Sequence, residues 1–73
     1  MYSATFQADG VQTIQVQSFS LKALATDYRE WIKAHDLGAR DCGHLDVLCG
    51  GNELYYISYN GKVWDKHNRQ VKV

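Results

Sequence analysis

The chain predicts an α+β fold: a single antiparallel β-sheet of about five strands, in the order β-β-α-β-β-β, packed against one α-helix. Three observations carry this. Apolar and polar residues alternate near both ends of the chain, the stretch from Leu21 to His35 repeats apolar residues at helical spacing, and Gly- and Asn-containing turns separate the strands without a single proline. Seventy-three residues make one domain, 1–73. A domain near this size buries only about 60% of its unfolded surface, which leaves little room for a deep active site. Hydrophobic residues at 45% and charged residues at 22% place the chain among globular rather than disordered sequences.

Tyr2, Ala4, Phe6 and Ala8 alternate with Ser3, Thr5 and Gln7, the pattern of a half-buried strand. Ala8-Asp9-Gly10 ends it. Matching apolar faces selects a three-residue turn with Gly10 left-handed, which pairs Ala4 with Ile14 and Tyr2 with Val16 along a second strand of about Val11–Gln17. Ser20 then caps a helix from about Leu21 to His35, and Phe19 before it is placed to staple onto Leu24. Leu21, Leu24, Ala25, Tyr28, Trp31, Ile32 and His35 form the buried stripe. Lys22, Thr26, Arg29 and Lys33 share the opposite arc, flanked by Asp27 and Glu30. Gly38 is the expected stop in the left-handed conformation, and Ala39 to Gly43 crosses back to the sheet.

His44–Cys49 reads as the third strand, Glu53–Tyr59 as the fourth and Lys62–Asp65 as the fifth, with Gln70–Val73 as a short edge strand. Gly50-Gly51-Asn52 turns the chain between the third and fourth. Asn60-Gly61 is the strongest hairpin signal in the sequence, because a two-residue type I′ turn needs positive φ at both central positions. That turn sets Tyr59 opposite Lys62, Ile57 opposite Trp64 and Tyr55 opposite Lys66. One side of the ribbon then holds Tyr55, Ile57, Tyr59 and Trp64, and the other Leu54, Tyr56, Ser58 and Val63. One helix covers one side only. The two are nearly equal in apolar content; analogy with the first hairpin assigns the Leu54/Tyr56/Val63 side to the core.

Formal net charge is zero, which removes the simplest electrostatic argument for nucleic-acid or membrane binding. The tail is nevertheless basic, with Lys62, Lys66, Arg69 and Lys72 against Asp65, while the middle carries Asp41, Asp46 and Glu53 against Arg40. A Lys-protected sheet edge accounts for such a tail. No apolar run approaches the roughly 20 residues that span a bilayer, and Met1-Tyr2-Ser3 leads straight into a strand, so the expectation is a cytoplasmic protein with no membrane partner. Cys42 and Cys49 are expected as thiols.

Little in the sequence points to catalysis. Cys42, His44 and Cys49 lie in a C-x-H-x4-C spacing that matches no zinc knuckle. A Cys42–His44 nucleophile pair has no oxyanion hole in sight, and Asp41, Asp46 and Asp65 lie on different elements. The reading is therefore no enzyme, with no catalytic, metal or cofactor-binding residue and no cofactor. Tyr55, Tyr56, Tyr59 and Trp64 beside Lys62 and Lys66 form the composition of a recognition surface, since such rings give large contact area at low entropic cost. The expected partner-binding residues are Lys22, Arg29, Lys33, Tyr55, Tyr59, Lys62, Trp64, Lys66 and Arg69. Sheet-borne aromatics stack bases or dock proteins, and a neutral domain favours the protein.

The segments IQVQSFSLKALA and CGHLDVLCGGNELYYISYNGKVWDKHN resemble the ββαβββ anti-CRISPR proteins of phages and mobile elements, in particular small inhibitors of the type I-F surveillance complex. The shared features are the helix start, the aromatic-rich strand, the N-G turn and K-x-W. The resemblance implies a non-enzymatic inhibitor in the cytoplasm of a bacterial host, binding a CRISPR ribonucleoprotein complex where target DNA would lie. Lys62 and Trp64 match by position, with Gln15 and Gln17 in the corresponding second strand. The alternative is a small nucleic-acid-binding regulator using the Lys22/Arg29/Lys33 stripe and the basic tail. Either works as a monomer or a homodimer.

Overall fold

Wherever the sequence alternates a strand forms, and the strands join in one antiparallel sheet. The computed structural model describes residues 1–73, the side chain of Ala39 excepted. In chain order the elements are β1 (Tyr2–Ala8), β2 (Val11–Ser18), α1 (Leu21–Ala34), α2 (Ala39–Cys42), β3 (His44–Cys49), β4 (Asn52–Ser58), β5 (Val63–Asp65) and β6 (Gln70–Val71). Across the sheet they run β2-β1-β3-β4-β5-β6, so α1 carries the chain from the β2 edge past β1 to β3. The predicted class holds, with six strands and an added short turn of helix in the expected crossing segment.

The core lies between α1 and one face of the sheet. Ala4 and Phe6 of β1, Leu45 and Val47 of β3, Ile57 of β4 and Val63 of β5 meet Leu21, Leu24, Ala25, Tyr28, Trp31 and Ile32 of α1. Phe6, Tyr28 and Trp31 pack with ring centroids 5.4 to 6.2 Å apart. Burying each such side chain stabilises the fold by about 1.5–3 kcal/mol.

Both helix ends refine the sequence reading. Ser20 Oγ accepts from the Ala23 N–H at 3.2 Å, as an N-cap should. Phe19, expected to staple onto Leu24, is instead 84% exposed. Ser18 Oγ bonds both the N–H and the carbonyl of Ser20, and this tight link turns Phe19 outward while Leu24 fills the core. At the other end His35 is an exposed cap residue, not part of the buried stripe, with its ring edge on Trp31. Asp36 (φ 51), not Gly38, takes the left-handed position. Its N–H donates to the Lys33 carbonyl and the Leu37 N–H to that of Ile32. An apolar contact from the residue directly after the left-handed one commonly accompanies that paired closure, and Leu37, packed on the core, supplies it.

The hairpins follow apolar matching, but by other turns than expected. In the first, Ala8 pairs with Val11 across a two-residue Asp9-Gly10 turn, and a bulge then shifts the register so that Ala4 faces Val16 and Phe6 faces Ile14. The expected Ala4–Ile14 and Tyr2–Val16 pairs are not formed. The extra residue sits in the strand rather than the turn, with the same result of apolar opposite apolar.

The last hairpin departs further. Gly61 N–H donates to the Ser58 carbonyl at 2.8 Å and Ser58 N–H to that of Lys62 at 2.9 Å, closing a three-residue connection, Tyr59-Asn60-Gly61, in which Gly61 alone is left-handed (φ 86). The two-residue turn with both positions left-handed is Gly50-Gly51 instead (φ 60 and 87). Asn60 contributes its side chain rather than its backbone freedom: Oδ1 accepts from the Lys62 N–H and the Ser58 hydroxyl. The pairs become Tyr55–Asp65, Tyr56–Trp64 and Ile57–Val63. One step of register exchanges the faces. Ile57 and Val63 go under the helix with Tyr55 and Tyr59 packed beside them, while Tyr56 and Trp64 turn to the other side. The assignment of Leu54, Tyr56 and Val63 to one covered side is thereby overturned.

Candidate functional site

Three neighbouring strands build an aromatic row on the face that α1 does not cover. Tyr56 of β4 lies opposite Asp46 of β3 on one side and Trp64 of β5 on the other. The Tyr56 and Trp64 rings stack with centroids 6.3 Å apart and planes 15° from parallel. His44 of β3 meets Tyr56 edge-on at 5.4 Å, and its Nε2 lies 3.1 Å from Asp46 Oδ1.

Hydrogen bonds fix the two larger rings. Trp64 Nε1–H donates to Ser58 Oγ at 3.2 Å, and Tyr56 Oη–H to Asn68 Oδ1 at 3.1 Å. Asn68 is held by the β5–β6 turn, where Asp65 Oδ1 accepts the N–H groups of His67 (2.8 Å) and Arg69 (3.0 Å). The Arg69 N–H foremost, then that of His67 and the Arg69 guanidinium, hold the Asp65 carboxyl below its ordinary range against an opposing desolvation.

The residues expected to bind a partner are divided among several places. Trp64 stands in the row, and Lys62 follows it in strand phase beside Ser58. Lys66 is exposed in the β5–β6 turn, where Arg69 lies 3.7 Å from Asp65. Tyr55 and Tyr59 are on the helix side. Tyr55 meets Tyr2 edge-on at 6.0 Å. Tyr59 donates its hydroxyl to the Leu37 carbonyl, accepts the Arg29 Nη1–H on its own carbonyl at 2.7 Å, and lies under the Arg29 guanidinium at 5.4 Å. Arg29 is thus a clasp on the Tyr59-Asn60-Gly61 turn. Lys22, Arg29 and Lys33 do converge on one groove of about 350 Å³, together with Glu30, Asn60, Gly61 and Val73.

Sequence reasoning missed His44, Tyr56, Ser58 and Asn68 as parts of one surface. The available clue was Ser58 beside Asn60: two side chains able to close a longer turn, and so to move Trp64 opposite Tyr56.

No hydrogen bond joins Cys42 and His44 among the described residues, and His44 turns to Asp46 and Tyr56. Burial, then the Asp41 charge, pushes the Cys42 thiol up, partly offset by its contact with the Tyr28 hydroxyl. Tyr28 is itself pushed up to about 12, chiefly by burial. A thiol so placed stays protonated at neutral pH and is a poor nucleophile. It lies in a cleft of about 650 Å³ between β1 and β3, whose lining includes Asp9, Asp41, Asp46 and Glu53. No group of three or more His, Cys, Asp or Glu suited to a metal ion occurs among the described residues, and no helix is long and apolar enough to cross a membrane. No protein-family model, curated protein or solved structure matches the chain.

Proposed function

We propose that this is a non-enzymatic binding protein that docks onto a protein surface of a macromolecular complex through the uncovered sheet face, with Tyr56 and Trp64 as its anchors. The supporting observation is the Tyr56–Trp64 stack, hydrogen-bonded at both rings and set on the sheet face opposite α1. Rings already locked in one rotamer lose little entropy on binding, and Trp and Tyr in that state are the usual energetic centres of interfaces. Asp46 beside Tyr56 and Lys62 beside Ser58 give the face both signs of charge, which suits a protein better than a phosphate backbone.

The resemblance of the N-G-K-V-W stretch to anti-CRISPR proteins supplies the partner in this reading. It is a type I-F surveillance complex in a bacterial cytoplasm, inhibited by obstruction of target-DNA binding. The test is capture of that complex by tagged protein from nuclease-treated lysate, repeated with Trp64→Ala and Tyr56→Ala. Each substitution is expected to weaken binding by about 30-fold or more, the scale of an interface hot spot. Unchanged capture by both variants would overturn the proposal. The convergence of Lys22, Arg29 and Lys33 on one groove supports a second reading, a nucleic-acid-binding regulator. That reading requires nucleic acid to co-elute and affinity to fall steeply with salt.

A further inference from the structure

The two edges of the sheet are defended very differently. At one end β6 is two residues long and flanked by Arg69 and Lys72, the short, charged edge that resists pairing with another chain. At the other, β2 runs for eight residues, and from Val11 to Ser20 the chain has no charged residue and no proline. Its outer backbone groups face no strand of the chain. Along it Ile14 is 39% exposed, a large apolar residue left half uncovered at the rim of the helix layer. A bulge at the turn end disturbs the first residues, but from Ile14 to Ser18 the strand pairs regularly with β1.

We propose that β2 is the dimerisation edge of this protein, pairing antiparallel with β2 of a second copy to join two six-stranded sheets into one of twelve. A second copy fits because the edge is neutral, so self-pairing sets no like charges together, and because an antiparallel pair is its own complement about a twofold axis. Register follows from the alternation. Ile14 and Val16 lie on the helix side and Gln15 and Gln17 on the other, so the pairing that sets Ile14 against Val16 of the second copy puts Gln15 on the axis. That arrangement finishes burying both Ile14 side chains. It also leaves the helices on one side and the two uncovered faces, aromatic rows included, on the other. The inference is independent of what the aromatic face binds.

Sedimentation equilibrium of the intact chain tests it. The wild type is expected to dimerise with a dissociation constant on the order of 10–100 µM, as suits a small interface. Gln15→Lys and Gln15→Glu, each placing like charges face to face at the axis, are expected to be monomeric with unchanged circular dichroism. An equimolar mixture of the two is expected to recover the dimer. Trp64→Ala is expected to dimerise as the wild type does. A wild type that stays monomeric to about 1 mM, a dimer that survives both Gln15 substitutions, or one abolished by Trp64→Ala would each overturn the proposal.

Discussion

The two sides of the β4–β5 hairpin carry the same kinds of residue in different circumstances. On the helix side Tyr59 is restrained from outside its own hairpin: its hydroxyl reaches the Leu37 carbonyl, its carbonyl takes the Arg29 Nη1–H, and the guanidinium covers its ring. On the other side Tyr56 and Trp64 are restrained by Asn68 and Ser58, by their own stack and by the edge of His44, all within the sheet layer itself. Restraint from a second layer makes a ring part of the fold. Restraint from the same layer leaves its outer surface free for another molecule, and rigid before that molecule arrives.

The largest way to break this comparison is Ile57→Ala. Ile57 is fully buried opposite Val63, so truncation should cost about 3–4 kcal/mol, most of the stability of a domain this small, in urea unfolding. A cost below about 1 kcal/mol would mean that this side is not the core. Gly61→Ala comes next. A Cβ there would lie 2.9 Å from Arg29 Cγ, at φ 86, and a loss of about 1–2 kcal/mol is expected. Adding Arg29→Ala to it should cost less than the two single changes summed, because the steric part of the first disappears. Additivity would show that Arg29 does not lie across the turn.

Trp64→Ala sharpens the contrast from the outer side. Its ring is partly buried, stacked on Tyr56 and outside the core, so thermal unfolding should register about 1–2 kcal/mol, well under the cost of Ile57→Ala. The smallest effect is set by pH. The Asp65 carboxyl is lowered in the folded state relative to its ordinary 3.8, so the charged form is the one the fold favours. Its contribution is fully present above that ordinary value and is lost as pH falls through the lower folded value. Wild-type melting temperature should therefore decline more between pH 5 and pH 2 than that of Asp65→Asn, which keeps an acceptor but not the charge. Parallel declines would remove Asp65 from the account of the turn that holds Asn68.

Much of the fold was legible because periodicity is local. The six buried positions of α1 follow from apolar spacing alone, and Ser20 was readable as a cap because its own hydroxyl satisfies a first-turn amide. The aromatic row was not legible in the same way. A two-residue turn at Asn60-Gly61 and a three-residue one from Tyr59 to Gly61 use the same residues, and they differ by a single step that moves Trp64 from one face to the other. The separation of Lys22 and Lys33 from Lys62 and Trp64 was equally hidden, since the helix packs on the opposite face of the hairpin over Ile57 and Val63 and reaches its turn through Arg29.

The sequence by itself determined the strands, the helix and its buried stripe, because each depends on residues within a few positions of one another. Only the tertiary structure decided which face of the last hairpin is covered. Ile57 and Val63 gain a dry environment against α1 in one register, Asn60 and Ser58 can close the longer turn that this register requires, and Arg29 reaches across to hold it. The packing on α1 and the Arg29 contact, which spans 30 positions, join residues at a range where no local pattern carries information.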